Sequence, residues 1–277
     1  MQTSDEIYKF FSDYIFEHTG IEYKEHDYYR LDSRITTLIK NFEVQNSQEL
    51  YEICKAKIDP TLQNLLIDLF TNNETYFMRD LKPFKALARS VIPKLKKENS
   101  SIDKLNIWCC ASSTGQEIYS VKMAVDAFGQ EEYKDSFKIN ASDISVEALE
   151  RAKRAIYTGL EVQRGLPAQF LIKYFEKMEK EKTWSIKKTL KENTNFFYFN
   201  LLHDEFPREM YNIILCRNVL IYQSQKNKKK IIKNLYKALK PGGYLLFGAG
   251  ESMIGMDSKF KTMEIEKTWF YQKDLAA

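Results

Sequence analysis

Residues 105–128 read LNIWCCASSTGQEIYSVKMAVDAF, and this stretch decides the class of fold. An apolar run over residues 105–111 leads into Ser-Ser-Thr-Gly and then into a segment, 117–128, with helical periodicity. A buried strand, a tight turn and a helix in this order form the opening unit of a parallel α/β sheet. Because nucleotide-like ligands approach the backbone at the first such turn, residues 111–117 are the first candidate ligand site.

Strands and helices are predicted to alternate along the rest of the chain. Ser145 has the position of a helix cap, and Lys-Pro-Gly-Gly at 240–243 ends a helix and turns the chain. We therefore predict an α/β fold with a doubly wound, mostly parallel sheet that holds ligands at the carboxyl ends of its strands. The predicted strands are 105–111, 137–144, 196–200, 211–216, 244–248 and, at an antiparallel edge, 260–265 and 268–271; the predicted helices are 117–128, 145–154 and 225–239.

The chain before this sheet has the pattern of helices. Apolar residues recur there at the spacing of one helix face, with the same pattern at residues 31–39 and 62–70. Asn46 and Ser47 are typical caps between these helices. The first apolar face consists of Ile7, Phe10, Phe11, Tyr14 and Ile15.

A linker is expected between the helical part and the sheet. One more amphipathic helix is predicted over residues 84–95, followed by a polar turn or linker at 96–104. We interpret residues 1–72 as a small all-α domain, 73–103 as a linker and helix that contribute to the ligand site, and 104–277 as the α/β domain.

The composition excludes several classes of protein. The 277 residues carry 42 basic and 38 acidic side chains, far from the basic excess of a protein that coats nucleic acid. No apolar stretch approaches the roughly 18 residues of a membrane span, and the start of the chain is unlike a signal peptide. The four cysteines form no CxxC pair and only three histidines are present, so no metal site is expected. We expect a soluble, cytoplasmic protein that does not insert into the membrane.

The turn at residues 111–117 and Asp143 together indicate the kind of ligand. The turn holds a single glycine, which argues against a tightly bound pyrophosphate. Asp143 ends the second predicted strand, where a carboxylate can accept both ribose hydroxyls of an adenosine. The two features favour an adenosine ligand without phosphates. The alternatives are an ordinary strand-to-helix turn and an aspartate that caps the following helix.

Four segments match a known set of motifs when they are read together. They are TNNETYFMR at 71–79, WCCASSTGQEIY at 108–119, ASDIS at 141–145 and ILCRNVLIY at 214–222, followed by Lys-Pro-Gly-Gly and Gly250-Glu251-Ser252. Over nearly the whole chain the sequence resembles the CheR family of chemotaxis receptor glutamate methyltransferases. The resemblance implies a Rossmann-like S-adenosylmethionine-dependent methyltransferase domain after the helical domain, with a small β-subdomain inserted at about residues 156–194.

The resemblance implies that the linker and the fourth segment surround the reacting centre. Arg79 would lie close enough to position the substrate carboxylate, and Tyr222 would lie near the sulfonium methyl group. Asn73 and Thr75 would contact the cofactor from the linker side together with Arg79. Arg217 and Asn218 would lie beside the methionine portion. Without the motif context, the favoured interpretation would be a turn cap for Arg217 and Asn218, a core aromatic for Tyr222 and a surface pair partner for Arg79; the motif context reverses this preference.

The other matched segments would hold the two ends of the cofactor. Glu117 would receive the amino group of the methionine moiety and Asp143 the ribose, while Asn200 and Leu201 would border the adenine. Gln116 stands where many family members have a first glutamate, so the role of Glu117 depends on an alignment shifted by one position.

The expected reaction is transfer of the methyl group of S-adenosylmethionine to a glutamate side chain of a chemoreceptor, leaving S-adenosylhomocysteine. A glutamate carboxylate, with a reference pKa of about 4.3, is already an anion at neutral pH, so no general base is needed. The site must bring the reacting atoms into line at about 3 Å, and Arg79 and Tyr222 would orient the carboxylate by hydrogen bonds. We expect loss of Arg79 to lower turnover without abolishing cofactor binding.

The expected partner is the helical cytoplasmic region of a methyl-accepting receptor. Arg30, Arg34 and Lys40 share roughly one side of a predicted helix and could meet acidic receptor helices, although a solvated basic face is the alternative. In some family members the β-subdomain grips a receptor pentapeptide through a glycine-containing loop. The corresponding residues here, 176–182, contain no glycine, which indicates independence from a pentapeptide.

Two other functions stay open on the sequence. One is methyl transfer to RNA or to a small molecule, which the balanced charge disfavours. The other is a non-enzymatic module that binds S-adenosylmethionine and signals. The sequence leaves the receptor, its modified glutamates and the oligomeric state open.

Overall fold

A computed structural model describes residues 3–178, 182–256 and 259–275. Two sheets lie within these residues, one large and one small. The strands are β1 (Leu105–Cys110), β2 (Phe137–Asp143), β3 (Ile156–Thr158), β4 (Phe175–Met178), β5 (Thr183–Ile186), β6 (Thr194–Tyr198), β7 (Tyr211–Cys216), β8 (Leu239–Phe247), β9 (Lys261–Ile265) and β10 (Thr268–Gln272).

The large sheet has the strand order β6-β2-β1-β7-β8-β10-β9. Its first five strands are parallel, and Cys110 at the end of β1 lies opposite both Ser142 of β2 and Cys216 of β7. β10 runs antiparallel to both β8 and β9. The predicted α/β fold, a mostly parallel sheet with an antiparallel edge, is therefore confirmed.

Helices cover both faces of this sheet, which explains the unbroken apolar run of β1. Ile107 and Cys109 belong to the core on one face, whereas Trp108 and Cys110 belong to the core on the other, since side chains alternate along a strand. The helices are α1 (Asp5–Thr19), α2 (Tyr29–Asn41), α3 (Ser47–Ala56), α4 (Pro60–Phe70), α5 (Leu81–Ala86), α6 (Ile92–Glu98), α7 (Gln116–Phe128), α8 (Val146–Arg154), α9 (Gly159–Gln163), α10 (Ala168–Tyr174), α11 (Lys188–Lys191) and α12 (Gln225–Ala238).

The first four helices enclose a hydrophobic core of their own. The aromatic rings of Phe11 and Phe70 stack at its centre, 5.7 Å apart, and neither side chain is exposed. Asn46 caps α3 through the backbone N–H of Glu49, as expected, and Asp59 caps α4. Because this core draws its residues from positions 7–70, we propose a domain boundary near residue 72.

The predicted insertion folds as three antiparallel strands in the order β3-β5-β4. It packs on the large domain through Tyr157 and Phe175, whose rings contact Phe77 of the linker. Of the residues 176–182, which the sequence singled out for their lack of glycine, residues 179–181 lie outside the described part of the chain.

The structure departs from the predicted elements at two strands. β6 begins at Thr194, two residues before the prediction, because it pairs with β2 from Ile139 onward. β8 begins at Leu239 and includes the Lys-Pro-Gly-Gly sequence, which forms an irregularity in the pairing with β7. Gly242 has φ 75°, a conformation that glycine adopts without a steric cost. No helix in the described ranges is both long and apolar enough to cross a membrane.

Candidate functional site

A cleft opens over the carboxyl ends of β1, β2 and β7, where the fold predicts a ligand. Its empty volume, counted out to the open mouth, is about 1000 Å³. All ten residues predicted for the site line this one cleft, although the role of each stays a prediction. They are Asn73, Thr75, Arg79, Glu117, Asp143, Asn200, Leu201, Arg217, Asn218 and Tyr222.

The turn after β1 is fixed to the neighbouring strand and to the linker. The backbone N–H of Ser113 donates to Asp143 Oδ2 over 2.8 Å, and Ser113 Oγ donates to the carbonyl of Asn73 over 2.7 Å. Gly115 has φ 95°, and a Cβ there would lie 3.0 Å from the Cβ of Ala152. The single glycine of this turn thus permits close packing between the turn and α8.

Asp143 is buried at the end of β2, where its carboxylate accepts backbone hydrogen bonds and lines the cleft. Its Oδ1 accepts the backbone N–H of Ser145 over 2.9 Å, while Ser145 caps α8. The alternative that Asp143 caps this helix is therefore wrong, because Ser145 is the cap; the Asp143 side chain lines the cleft. Burial raises the pKa of Asp143, and the hydrogen bonds from the backbone N–H groups of Ser145 and Ser113 act in the opposite direction.

Glu117 and Arg217 form a buried ion pair on the floor of the cleft. Arg217 Nη1 donates to Glu117 Oε2 and Nη2 to Asp80 Oδ2, both over 2.9 Å. The Arg217 side chain is 1% exposed and its guanidinium lies 5.2 Å from the ring centre of Phe84. Burial raises the pKa of Glu117, while the charge of Arg217 opposes the rise. No motif in the sequence marks Asp80, the second carboxylate of this group.

The linker supplies a half-buried arginine at the mouth of the cleft. The guanidinium of Arg79 lies 5.5 Å from the ring centre of Tyr76, and its Nη1 donates to the carbonyl of Glu74 over 3.2 Å. Arg164, from the insertion, lies 4.7 Å from the same ring and pairs with the Glu74 carboxylate. Arg79 itself has no carboxylate partner among the ion pairs of the described residues, so its charge is available to an anionic substrate.

The amino-terminal helices close one side of the cleft. Ile21 forms a β-bridge with Gln223, whose Nε2 donates to the carbonyl of Thr19 over 3.0 Å. Asn200 Nδ2 donates to the carbonyl of His18 over 2.8 Å. Thr19 and Ile21 line the cleft, and sequence reasoning missed both because no motif marks a contact between domains.

The three residues predicted for receptor contact differ in how far their side chains are engaged by contacts within the protein. Arg34 donates to the carbonyls of Leu69 and Arg30, so its guanidinium ties α2 to α4. Arg30 lies 5.7 Å from the ring centre of Tyr23 and is 3.6 Å from Asp27. Lys40 is exposed. Two of the three basic side chains, Arg30 and Arg34, therefore already make contacts within the helical part of the chain.

Comparison with known proteins identifies the family to which this chain is similar. A protein-family model described as CheR methyltransferase, SAM binding domain, matches residues 73–269. A chemotaxis protein methyltransferase of Pseudomonas putida is 32% identical over 275 residues, which cover 98% of this chain and 99% of that protein. Another, of Vibrio parahaemolyticus, is 32% identical and covers 97% of each chain. A third, of Borreliella burgdorferi, is 30% identical, covering 91% of this chain and 90% of that protein.

Proposed function

Since this chain belongs to the CheR methyltransferase family, we propose that it transfers the methyl group of S-adenosylmethionine to glutamate side chains on the cytoplasmic helices of chemoreceptors. S-adenosylmethionine is the cofactor of this family of enzymes. The glutamate substrate, the receptor and the place of reaction in the cytoplasm are parts of the proposal.

The donor set of the cleft suits a positively charged adenosine ligand. Asp143 and Glu117 line the cleft with carboxylates, and Ile144, Phe199 and Leu201 line it with apolar surface that suits a base. Nε of the buried Arg217 has no hydrogen-bond partner among the described residues, and the Arg217 side chain lines the same cleft as Glu117. When bound, the cofactor supplies a methyl group that its sulfonium has already activated.

The observation that carries the proposal is that Arg79 and Tyr222 line the same cleft, and that Arg79 has no carboxylate partner among the ion pairs of the described residues. Within those residues, no histidine lines this cleft. Asn72 Nδ2 donates to the Tyr222 oxygen, which leaves the proton of Tyr222 for a different acceptor. Arg79 and Tyr222 can therefore both donate to a substrate carboxylate. Such a site can hold an anionic nucleophile in line, and the reaction needs no proton transfer.

The insertion bears on whether a receptor tail is needed. We propose independence from a terminal pentapeptide, because residues 176–182 contain no glycine. Receptor fragments with and without their last residues should be methylated at the same rate. A rate that falls strongly on truncation contradicts this part of the proposal alone.

The experiment that tests the proposed function is transfer of radiolabelled methyl from S-adenosylmethionine to receptor cytoplasmic fragments. Two fragments are compared, one with its methylation-site glutamates intact and one with each changed to alanine. Base-labile label that depends on those glutamates supports the proposal. Cofactor binding without transfer favours a signalling module, and label that survives base or appears on another substrate favours a different methyltransferase.

A further inference from the structure

The Gly250-Glu251-Ser252 motif follows β8, and the site described so far assigns it no role. The Glu251 carboxylate lies against the loop after β7 and accepts five backbone N–H groups. Oε2 accepts those of Asn218 over 2.6 Å and Gly248 over 2.9 Å, and Oε1 accepts those of Val219 over 2.9 Å, Leu220 over 2.7 Å and Ile221 over 3.3 Å.

The loop conformation depends on this carboxylate. Consecutive backbone N–H groups that converge on one point form a concave site, called a nest, that suits an anion. Here the Glu251 carboxylate of the same chain occupies that site. Asn218 has φ 61°, an uncommon conformation for a residue other than glycine. A Cβ at Gly248 would lie 2.7 Å from Asn218 Nδ2 and 2.9 Å from Glu251 Oε2, so the three residues are packed without spare room.

The same loop carries the residues of the reacting centre. It begins after Arg217, includes Asn218 and ends in a short helix, Leu220–Tyr222. Its far end is fixed by the Asn72–Tyr222 hydrogen bond and the bridge between Ile21 and Gln223. Glu251 thus fixes the start of the loop at residues 218–221. Its end, at Tyr222 and Gln223, is fixed by the contacts with Asn72 and Ile21.

We propose that Glu251 is a positioning residue for methyl transfer, because its carboxylate holds residues 218–221 in the conformation that directs Asn218 and Tyr222 into the cleft. The kinetic consequence rests on the proposed function. The predicted order of residues 218–221 does not rest on it, since amide exchange measures that order without any substrate.

The first test is Glu251→Gln, which keeps the shape of the side chain. In either orientation of the amide, the NH₂ group faces two or three N–H donors of the loop and cannot accept from them. We expect kcat to fall about 100-fold, the loss that a displacement of about 1 Å can cause. The Kd for S-adenosylhomocysteine should rise at most about tenfold, the order of one lost hydrogen bond. Hydrogen–deuterium exchange of the amides of residues 218–221 should become faster.

The matched control is Glu49→Gln. This carboxylate also accepts a backbone N–H, that of Gln45 over 2.9 Å, but it lies on α3 and does not line the cleft. We expect wild-type kcat and unchanged exchange at residues 218–221. If Glu251→Gln does not fold, Gly248→Ala tests the same loop, because its new methyl group displaces Asn218 or the carboxylate, and the same loss of kcat is expected.

A folded Glu251→Gln protein with wild-type kcat overturns the inference. Wild-type protein that methylates no receptor instead contradicts the proposed function. In that case amide exchange decides the inference: protection of residues 218–221 that Glu251→Gln loses supports it, and protection that the variant keeps overturns it.

Discussion

Asn72 Nδ2 donates a 2.6 Å hydrogen bond to the hydroxyl oxygen of Tyr222, a residue 150 positions further along the chain. The bond links the segment before the α/β domain to the loop after β7. It also orients the phenol, because an oxygen that accepts from the amide presents its own proton elsewhere. The position of Tyr222 is therefore set by the end of the helical domain as well as by its own loop.

Tyr222→Phe is expected to lower kcat about 10-fold to 100-fold, the effect of losing one hydrogen bond to a charged group. Asn72→Ala should lower it less, about 2-fold to 10-fold, since the hydroxyl remains but is no longer oriented. Steady-state kinetics with receptor fragments and cofactor titration measure both. The double variant should be no slower than Tyr222→Phe; losses that multiply would mean that the two side chains act independently.

Arg79→Ala should lower turnover while the protein still binds S-adenosylmethionine, because the guanidinium stacks on Tyr76 at the mouth of the cleft. We expect a loss of about 10-fold to 100-fold in kcat/KM for the receptor fragment. Calorimetric titration of the cofactor provides the second measurement. Arg89→Ala is a matched control, since that guanidinium lies 5.6 Å from the ring centre of Phe128, away from the cleft. Equal losses in both variants would contradict the role of Arg79.

Arg217→Met should destabilise the fold, because it leaves the carboxylates of Glu117 and Asp80 without their shared partner. Removal of one member of a buried ion pair typically costs about 3–5 kcal/mol in the free energy of unfolding. Urea denaturation measures this loss. Addition of Glu117→Gln to Arg217→Met should restore part of the stability, since the side chain left behind is then neutral. A double variant as unstable as Arg217→Met would show that charge is not the cause.

Acidification should weaken cofactor binding and stabilise the protein at the same time. Burial raises the pKa values of Glu117 and Asp143, so the folded protein keeps these protons to a higher pH than the unfolded chain does. Between the ordinary carboxyl range, about 4, and the raised values, the free energy of unfolding therefore increases as the pH falls. We expect cofactor affinity to decrease over the same range, because acidification removes the two carboxylate charges that we propose hold the cofactor.

Thermal unfolding and cofactor titration across this pH range check both signs. In Asp143→Asn, one of the two titrating groups is absent, and both pH dependences should become shallower. An affinity that stays constant while the wild-type protein is acidified through this range would show that neither carboxylate needs its charge to hold the cofactor.

The sequence predicted the architecture because local patterns determine it. The strand-turn-helix unit at residues 105–128 and the cap at Ser145 depend on neighbours in the chain, and both lie where they were expected. The ten site residues came from motifs, and the structure places them around one cleft. The structure thus explains why segments so far apart carry one set of motifs: they meet at the carboxyl edge of the sheet.

The residues that sequence reasoning missed depend on contacts that no local pattern reveals. Asp80 follows the matched segment 71–79 by one position, but its partner Arg217 is 137 residues away. Glu251 stood in a matched motif, but the sequence assigned it no role, because it reaches Asn218 only where β7 and β8 are neighbours in the sheet. Thr19 and Ile21 reach the cleft only because the helical part packs against the loop at Gln223.

Thr19 and Ile21 form one wall of the cleft, so both the helical part and the α/β part of the chain line it. Any receptor that shifts the amino-terminal helices on binding must also shift this wall. The affinities for receptor and cofactor are then coupled, and by thermodynamic reciprocity each ligand changes the affinity for the other by the same factor. For the proposed receptor, such coupling would make the affinity of binding depend on the concentration of the cofactor.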